Sequence, residues 1–238
     1  MGLLMSRARL IVASCPRAGS SVVIAGEEAS HARALRLGLG EGVTLIDGTG
    51  TEAHGTVAKL TRAGVEVLVD KLVRAPDSGI DIALFIAGLR LERLAWVAEK
   101  ATELSVARVV VVASDRAQSF RAAPASIARL RRVVREAAKQ CESARWPEVD
   151  GPVSAEKIWD SFDGQRLFLD FGGERFPSHL SAGPVALMVG PEGGWSETER
   201  LAARENGWQA VALPAGKLRA ETAAVAAVVL ARAALLRN

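Results

Sequence analysis

Over the first part of the chain, apolar residues come in short bursts broken by turn residues. Leu10–Ala13, Ser21–Ile24, Val43–Ile46, Glu52–Leu60 and Val65–Val69 read as strands. The run DGTG, Asp47–Gly50, falls between two of them and predicts a hairpin turn. One short helix fits Glu27–Leu37 and carries His31 and Arg36. Together these elements predict a small β-barrel of about seventy residues. The polar, turn-rich stretch Arg74–Gly79 marks a boundary. The expected organisation is an N-terminal domain over 1–73, a linker over 74–79 and a second domain over 80–238.

Beyond the boundary the rhythm changes. Apolar runs at Ile80–Ala87, Ala107–Ala113, Arg166–Phe171, Val185–Val189 and Ala210–Leu213 alternate with helical stretches. That alternation predicts an α/β domain with a parallel sheet covered on both faces. In the helix expected over Ile127–Ser143, residues Ile127, Leu130, Val133, Val134, Ala137, Ala138 and Cys141 form the apolar stripe. The last helix, about Glu221 to Arg237, is apolar on almost every side. It is therefore expected to be buried nearly all round, against a second subunit as well as its own sheet.

Composition narrows the class. With 49% hydrophobic and 24% charged residues in 238, the chain is an ordinary folded protein. Cys15 and Cys141 give neither a disulfide framework nor metal-ligand spacing, and His31, His54 and His179 are scattered, so no metal is expected. Such cysteine usage fits the cytoplasm. Leu10–Ala13 is too short for a secretory signal, although MGLLMS matches a myristoylation pattern. Thr222–Leu236, interrupted by Arg232, is too short to cross a bilayer, so no membrane partner is expected.

The net charge of +3 hides a local excess. Arg116, Arg121, Arg129, Arg131, Arg132, Arg135, Lys139 and Arg145 face only Glu136 and Glu142 in the same stretch. A solvated helix surface would explain a plain charge run. Here the signs are too unequal for a face laced with salt bridges, which points to phosphate and nucleic acid.

Two strand-to-helix loops carry the chemistry. GPEGGWSETE, Gly190–Glu199, leaves an apolar strand through three glycines and a proline. Ser196 and Glu199 have capping-box spacing, so a helix should begin at Ser196. The remaining loop lies at the carboxyl end of a parallel strand, where open α/β sheets bind ligands. In LPAGKLRAETAA, Leu213–Ala224, an acid at Glu221 suits the start of a helix, whereas a cation at Arg219 gains nothing from the helix dipole. An anion or a carbonyl-rich base would give Arg219 a partner. Neither loop is a Walker A or GxGxxG sequence, and no Ser-His-Asp or Cys-His arrangement stands out.

VGPEGGWSETE followed by LRAETAA resembles the RsmE family, methyltransferases of uridine N3 in 16S ribosomal RNA. ALRLGLGEGVTLIDGTG at Ala34–Gly50, AEKATELSVARVV at Ala98–Val110 and REAAKQCESARWPEV at Arg135–Val149 are similar to family segments too. The resemblance implies a SPOUT-type parallel sheet with a trefoil knot and a PUA-like RNA-binding N-terminal barrel. It also implies a homodimer with active sites at the subunit interface. S-adenosylmethionine would lie against Leu169, Phe171, Gly190, Glu192, Gly193, Leu213 and Leu218. Arg219 would stabilise negative charge on the uracil oxygens, with Glu221 either accepting the N3 proton or orienting Arg219. The partner would be ribosomal RNA or the small subunit, met by His31, Arg36, Arg129, Arg132, Arg135 and Arg145. Pro214 stands where the family has Gly, Lys217 where it has an aliphatic residue, and Ser143 where it has Arg. The His31-to-Arg36 spacing is one residue short. The competing readings are a non-catalytic RNA-binding or ribosome-assembly protein on the same scaffold, and a SPOUT methyltransferase of another RNA.

Overall fold

The computed structural model describes residues 8–76, 79–117, 124–159 and 162–237. MGLLMS, Arg121 and, in the expected linker, Asp77 and Ser78 lie outside the described residues. The chain forms two compact units, Met1–Asp77 with Ala138–Trp146, and Ser78–Ala137 with Pro147–Asn238.

The first unit contains β1 (Ala8–Ile11), β2 (Ser21–Ile24), α1 (Gly26–Ala34), β3 (Gly42–Ile46), β4 (Thr51–Leu60) and β5 (Val65–Arg74). Its five strands make one sheet in the order β1-β3-β4-β5-β2, antiparallel except where β1 runs beside β3. Period-two patterning sets the register: Val65, Val67 and Val69 of β5 are buried while Leu68 and Asp70 are exposed. The inward set joins Leu10, Val43, Leu45, Ala53 and Val57 in a barrel-like core.

The β3–β4 connection is the turn that DGTG predicts. Asp47 Oδ1 accepts from the Thr49 amide at 3.0 Å and the Thr49 hydroxyl at 2.7 Å. Gly48 has φ +85°, and a Cβ there would stand 2.4 Å from the Trp146 ring. The turn thus needs glycine for its backbone and to seat a residue from far along the chain.

The second unit contains β6 (Ile82–Ala87), α2 (Leu91–Glu103), β7 (Arg108–Ala113), α3 (Pro124–Gln140), β8 (Glu148–Ser154), β9 (Gln165–Arg175), β10 (Val185–Val189), α4 (Glu197–Glu205), β11 (Gln209–Ala212) and α5 (Ala220–Leu235). Six strands pair in parallel in the order β11-β9-β10-β6-β7-β8. Strands β6 and β10 are buried at every position, as a sheet covered on both faces requires. One face carries Phe85, Trp159, Phe168, Met188, Trp195 and Trp208. Helix α5 packs on β6, β10 and α2.

Two departures from the sequence reading have physical causes. Strand β8 is an edge strand with a largely half-buried pattern and Pro152 inside it, so it lacks the apolar run that marks the central strands. Strand β9 is longer than Arg166–Phe171 because it contains an excursion. Opposite the single step Ala210–Val211 of β11, its partners jump from Phe168 to Glu174, so residues 169–173 have no partner in β11. Within the single chain, helix α5 buries one side against its own unit. Ala224, Ala227, Val228, Ala231 and Ala234 form one buried stripe, while Thr222, Val229 and Ala233 are exposed.

Candidate functional site

The excursion in β9, the loop after β10 and the loop after β11 meet at the carboxyl ends of these strands and enclose a cleft open to solvent. Each wall has a local cause. Residues 169–171 reach the cleft because they bulge out of the sheet. Asp170 is fixed there by Arg200 of α4, whose Nε and Nη2 donate to its carboxylate at 2.8 and 3.2 Å. Hydrogen bonding to Asp170, against the cost of burial, raises the Arg200 pKa. The Phe171 ring stands 71% exposed at the rim.

The glycine-rich loop is organised around Trp195. This indole is buried, stacks on Phe168 at 4.9 Å between centroids, and donates from Nε1 to the Leu169 carbonyl at 3.0 Å. A Cβ on Gly190 would lie 2.8 Å from two atoms of the ring. Gly190 therefore makes room for the tryptophan as well as lining the cleft. After it, Ser196 caps α4 in a complete capping box: Ser196 Oγ accepts from the Glu199 amide at 3.2 Å, and the Ser196 amide donates to Glu199 Oε2 at 2.8 Å. Glu199 Oε1 also accepts from the Asp115 amide at 3.1 Å, so the cap ties the loop after β7 to the start of α4.

Of the expected donor-binding residues, Leu169, Phe171, Gly190, Glu192, Leu213 and Leu218 line the cleft. Gly193 does not. Its carbonyl accepts from Arg116 Nη1 at 3.1 Å, and a Cβ there would touch Arg116. Lys217 lines the cleft, whereas Pro214 lines a second hollow with Phe176 and Leu230.

The two expected catalytic residues begin α5. Arg219 is its N-cap, exposed, and makes no side-chain hydrogen bond or ion pair among the described residues. Glu221 faces Arg93 of α2, Oε1 to Nε 3.6 Å, rather than Arg219. Its Oε2 is buried with no hydrogen-bond partner among the described residues. Arg93 also pairs with Glu192 from the glycine-rich loop. Sequence reading missed Arg93, Asp170 and Arg200. The one signal for Arg93 was a cation in the first turn of a helix, where the dipole opposes it.

The basic residues separate into two kinds. Arg129, Arg132 and Arg135 are exposed at three-residue steps along α3. Arg131, in contrast, is held by the Val149 carbonyl at 2.9 Å and by Asp150. Lys139 is only 5% exposed and pairs with Glu28 at 3.1 Å, so it is a structural cation. In the first unit, Arg36 is exposed at φ +57° and His31 is half-buried. Arg145 packs its guanidinium over Gly50, where a Cβ would come within 2.5 Å. Among the described residues no cluster of His, Cys, Asp and Glu could hold a metal ion, and no helix is long and apolar enough to cross a membrane.

Known proteins match the chain over most of its length. A family profile described as an RNA methyltransferase domain matches residues 76–232, and one described as an RNA methyltransferase PUA domain matches 24–70. The ribosomal RNA small subunit methyltransferase E of Mycobacterium bovis is 30% identical over 230 residues, covering 91% of this chain and 88% of that protein. Its namesake from Rickettsia conorii is 26% identical over 206 residues, 83% of each. A crystal structure of the Neisseria gonorrhoeae protein of that name, bound to S-adenosylmethionine, superposes with TM-score 0.88 at 26% identity, covering 96% of this chain and 98% of that one. A sheet of parallel strands ending in this cleft, two matching profiles and relatives sharing one name lead to a single assignment: the chain belongs to the ribosomal RNA small subunit methyltransferase E family.

Proposed function

We propose that this protein transfers the methyl group of S-adenosylmethionine to N3 of a uridine in 16S ribosomal RNA. One observation carries this reading. An apolar cleft at the strand ends adjoins a helix that opens with an unpartnered arginine and a half-engaged carboxylate. The residues fit the donor, because the cleft walls at the strand ends are mostly small and apolar. Gly190, Ala212, Ala215, Gly216 and Ala220 expose main chain and small apolar surface to it, with Lys217 beside them. Leu169, Phe171, Glu192, Leu213 and Leu218 complete the walls, while Gly193 supports the loop through Arg116.

When bound, the donor supplies an electrophilic methyl group on a positively charged sulfur. The chain's own residues deal with the proton and the charge. A neutral imide nitrogen is a poor nucleophile, so its proton has to leave. Glu221, whose Oε2 has no donor among the described residues, is the acceptor. Arg219, with no internal partner, neutralises the charge that spreads onto the uracil oxygens. The exposed arginines of α3, Arg129, Arg132 and Arg135, bind phosphates, and His31, Arg36 and Arg145 act with the PUA-like domain on the RNA.

The finer features of the reading are supported in the same way. A trefoil knot is consistent with β11 pairing on β9 while α5 returns across β10 and β6. A homodimer accounts for Trp96 of α2 and Val229 of α5, which are 42% and 47% exposed. Ribosomal RNA as substrate puts the work in the cytoplasm.

The test is incubation with S-adenosylmethionine and small subunits or naked RNA lacking the modification, with the nucleosides identified by mass. The expected product is 3-methyluridine. No methylated nucleoside and no donor binding by calorimetry would leave the non-catalytic RNA-binding reading. Methylation of a different base or RNA would replace the substrate.

A further inference from the structure

Arg93 joins three elements that are separate in sequence. It lies in the first turn of α2, pairs with Glu192 of the loop after β10, and stands 3.6 Å from Glu221 at the start of α5. A helix disfavours a cation in its first turn, so this arginine is held against its own helix by the two carboxylates. Arginine suits the position, since a planar fork with several donors can serve two carboxylates at once, which an ammonium on a flexible stem does poorly. The consequence for Glu221 is asymmetric. Its side chain is 13% exposed, Oε1 is turned to Arg93, and Oε2 is buried with nothing to accept from among the described residues.

We infer that Arg93 is a positioning residue for methyl transfer, engaging Oε1 of Glu221 so that Oε2 is left to take the N3 proton. Through Glu192 it ties the glycine-rich wall of the cleft to the same frame. The inference rests on the proposed methyl transfer. In that step N3 gives its proton to Oε2 and its electron pair to the methyl carbon. The carbon–sulfur bond breaks with its pair on sulfur, and the carboxyl later returns the proton to water. Arg93 itself exchanges nothing.

A purely structural Arg93 would only hold α2 to α5, and kinetics separates the two roles. We expect Arg93→Met to lower kcat about a hundredfold, the scale of a misplaced reacting group, with KM for RNA within about threefold. By calorimetry the donor dissociation constant should stay within about threefold of wild type. Arg93→Lys should recover about tenfold of the lost kcat, as a charge that holds one carboxylate instead of two. Unchanged kcat in Arg93→Met, or donor affinity lost in parallel with kcat, would overturn the role. If Arg93→Met melts more than about 5 °C early, Arg93→Lys decides, and a wild-type kcat there is equally fatal. A wild-type protein that transfers no methyl group at all removes the functional reading first, and this inference with it.

Discussion

Replacing Gly190 by alanine tests whether the loop's glycines serve the frame or the ligand. The added Cβ would meet Cε2 and Nε1 of Trp195 at 2.8 Å. That indole cannot yield freely, because it is buried, stacked on Phe168 and hydrogen-bonded to the Leu169 carbonyl. Overpacking costs about 1–3 kcal/mol, and loss of the indole hydrogen bond adds about 1 kcal/mol. Alanine returns about 0.4–1 kcal/mol by restricting the unfolded chain, which leaves a net loss of about 1–3.5 kcal/mol. The displaced indole also carries Leu169 with it, and Leu169 is a wall of the cleft. A lower urea midpoint at unchanged slope and weaker S-adenosylmethionine binding by calorimetry should therefore appear together. Gly216 is the control: it lines the cleft, yet no protein atom lies within 4 Å of a Cβ built on it. Gly216→Ala should weaken donor binding without lowering the midpoint. If Gly190→Ala leaves both measurements at wild type, Trp195 does not shape this loop and the account of its first glycine is wrong.

Three further outcomes are expected. Arg219→Ala should lower kcat by about 10²–10³, as for a lost oxyanion donor, with donor affinity unchanged in a titration; equal loss of both would remove its catalytic role. Arg132→Ala with Arg135→Ala should weaken RNA binding and reduce the slope of log affinity against log salt by about 1.4 for single-stranded contacts, and an unchanged slope takes α3 off the RNA. Burial pushes the Glu52 carboxyl up, but hydrogen bonds from His54 and Arg9 and their charge outweigh it and hold the pKa below its ordinary value. Its contribution to stability is thus present above the unfolded-state pKa and lost as pH falls through the folded one. Glu52→Gln should flatten the acid side of a stability-versus-pH curve, and a curve parallel to wild type would show that the Arg9–Glu52–His54 cluster contributes nothing.

What the sequence made legible was local. Alternating valines at 65, 67 and 69 face one core, and Ser196 with Glu199 starts a helix, because each signal lies within a few residues of its effect. What escaped reading depends on partners far along the chain. Lys139 looks like one more cation on a basic face until Glu28, 111 residues away, is seen beside it. Arg93 and Glu192 are 99 residues apart, and no periodicity links them. The excursion of β9 was hidden for another reason. Only the register against β11 reveals that residues 169–173 go unpaired there, and within this excursion Leu169, Asp170 and Phe171 become a wall of the cleft.

The oddities that the fold explains differ from those it leaves open, and the difference locates function. Lys139 is buried but answered by Glu28, and Gly190 lacks a side chain because Trp195 fills the space. Arg93 sits at the wrong end of its helix but is answered by two carboxylates. Against these stand, among the described residues, Arg219, an N-cap cation without an internal partner, Glu221 Oε2, a buried acceptor without a donor, and Gly216, small beside empty space. These three features fall within six residues of one another, 216–221, on the segment bordering the cleft. A helix start that tolerates an opposed cation and an unsatisfied acceptor loses stability on both counts. Among the described residues nothing answers them. The complementary groups, a proton-bearing nitrogen and oxygens gaining negative charge, are those that the proposed uridine substrate would bring.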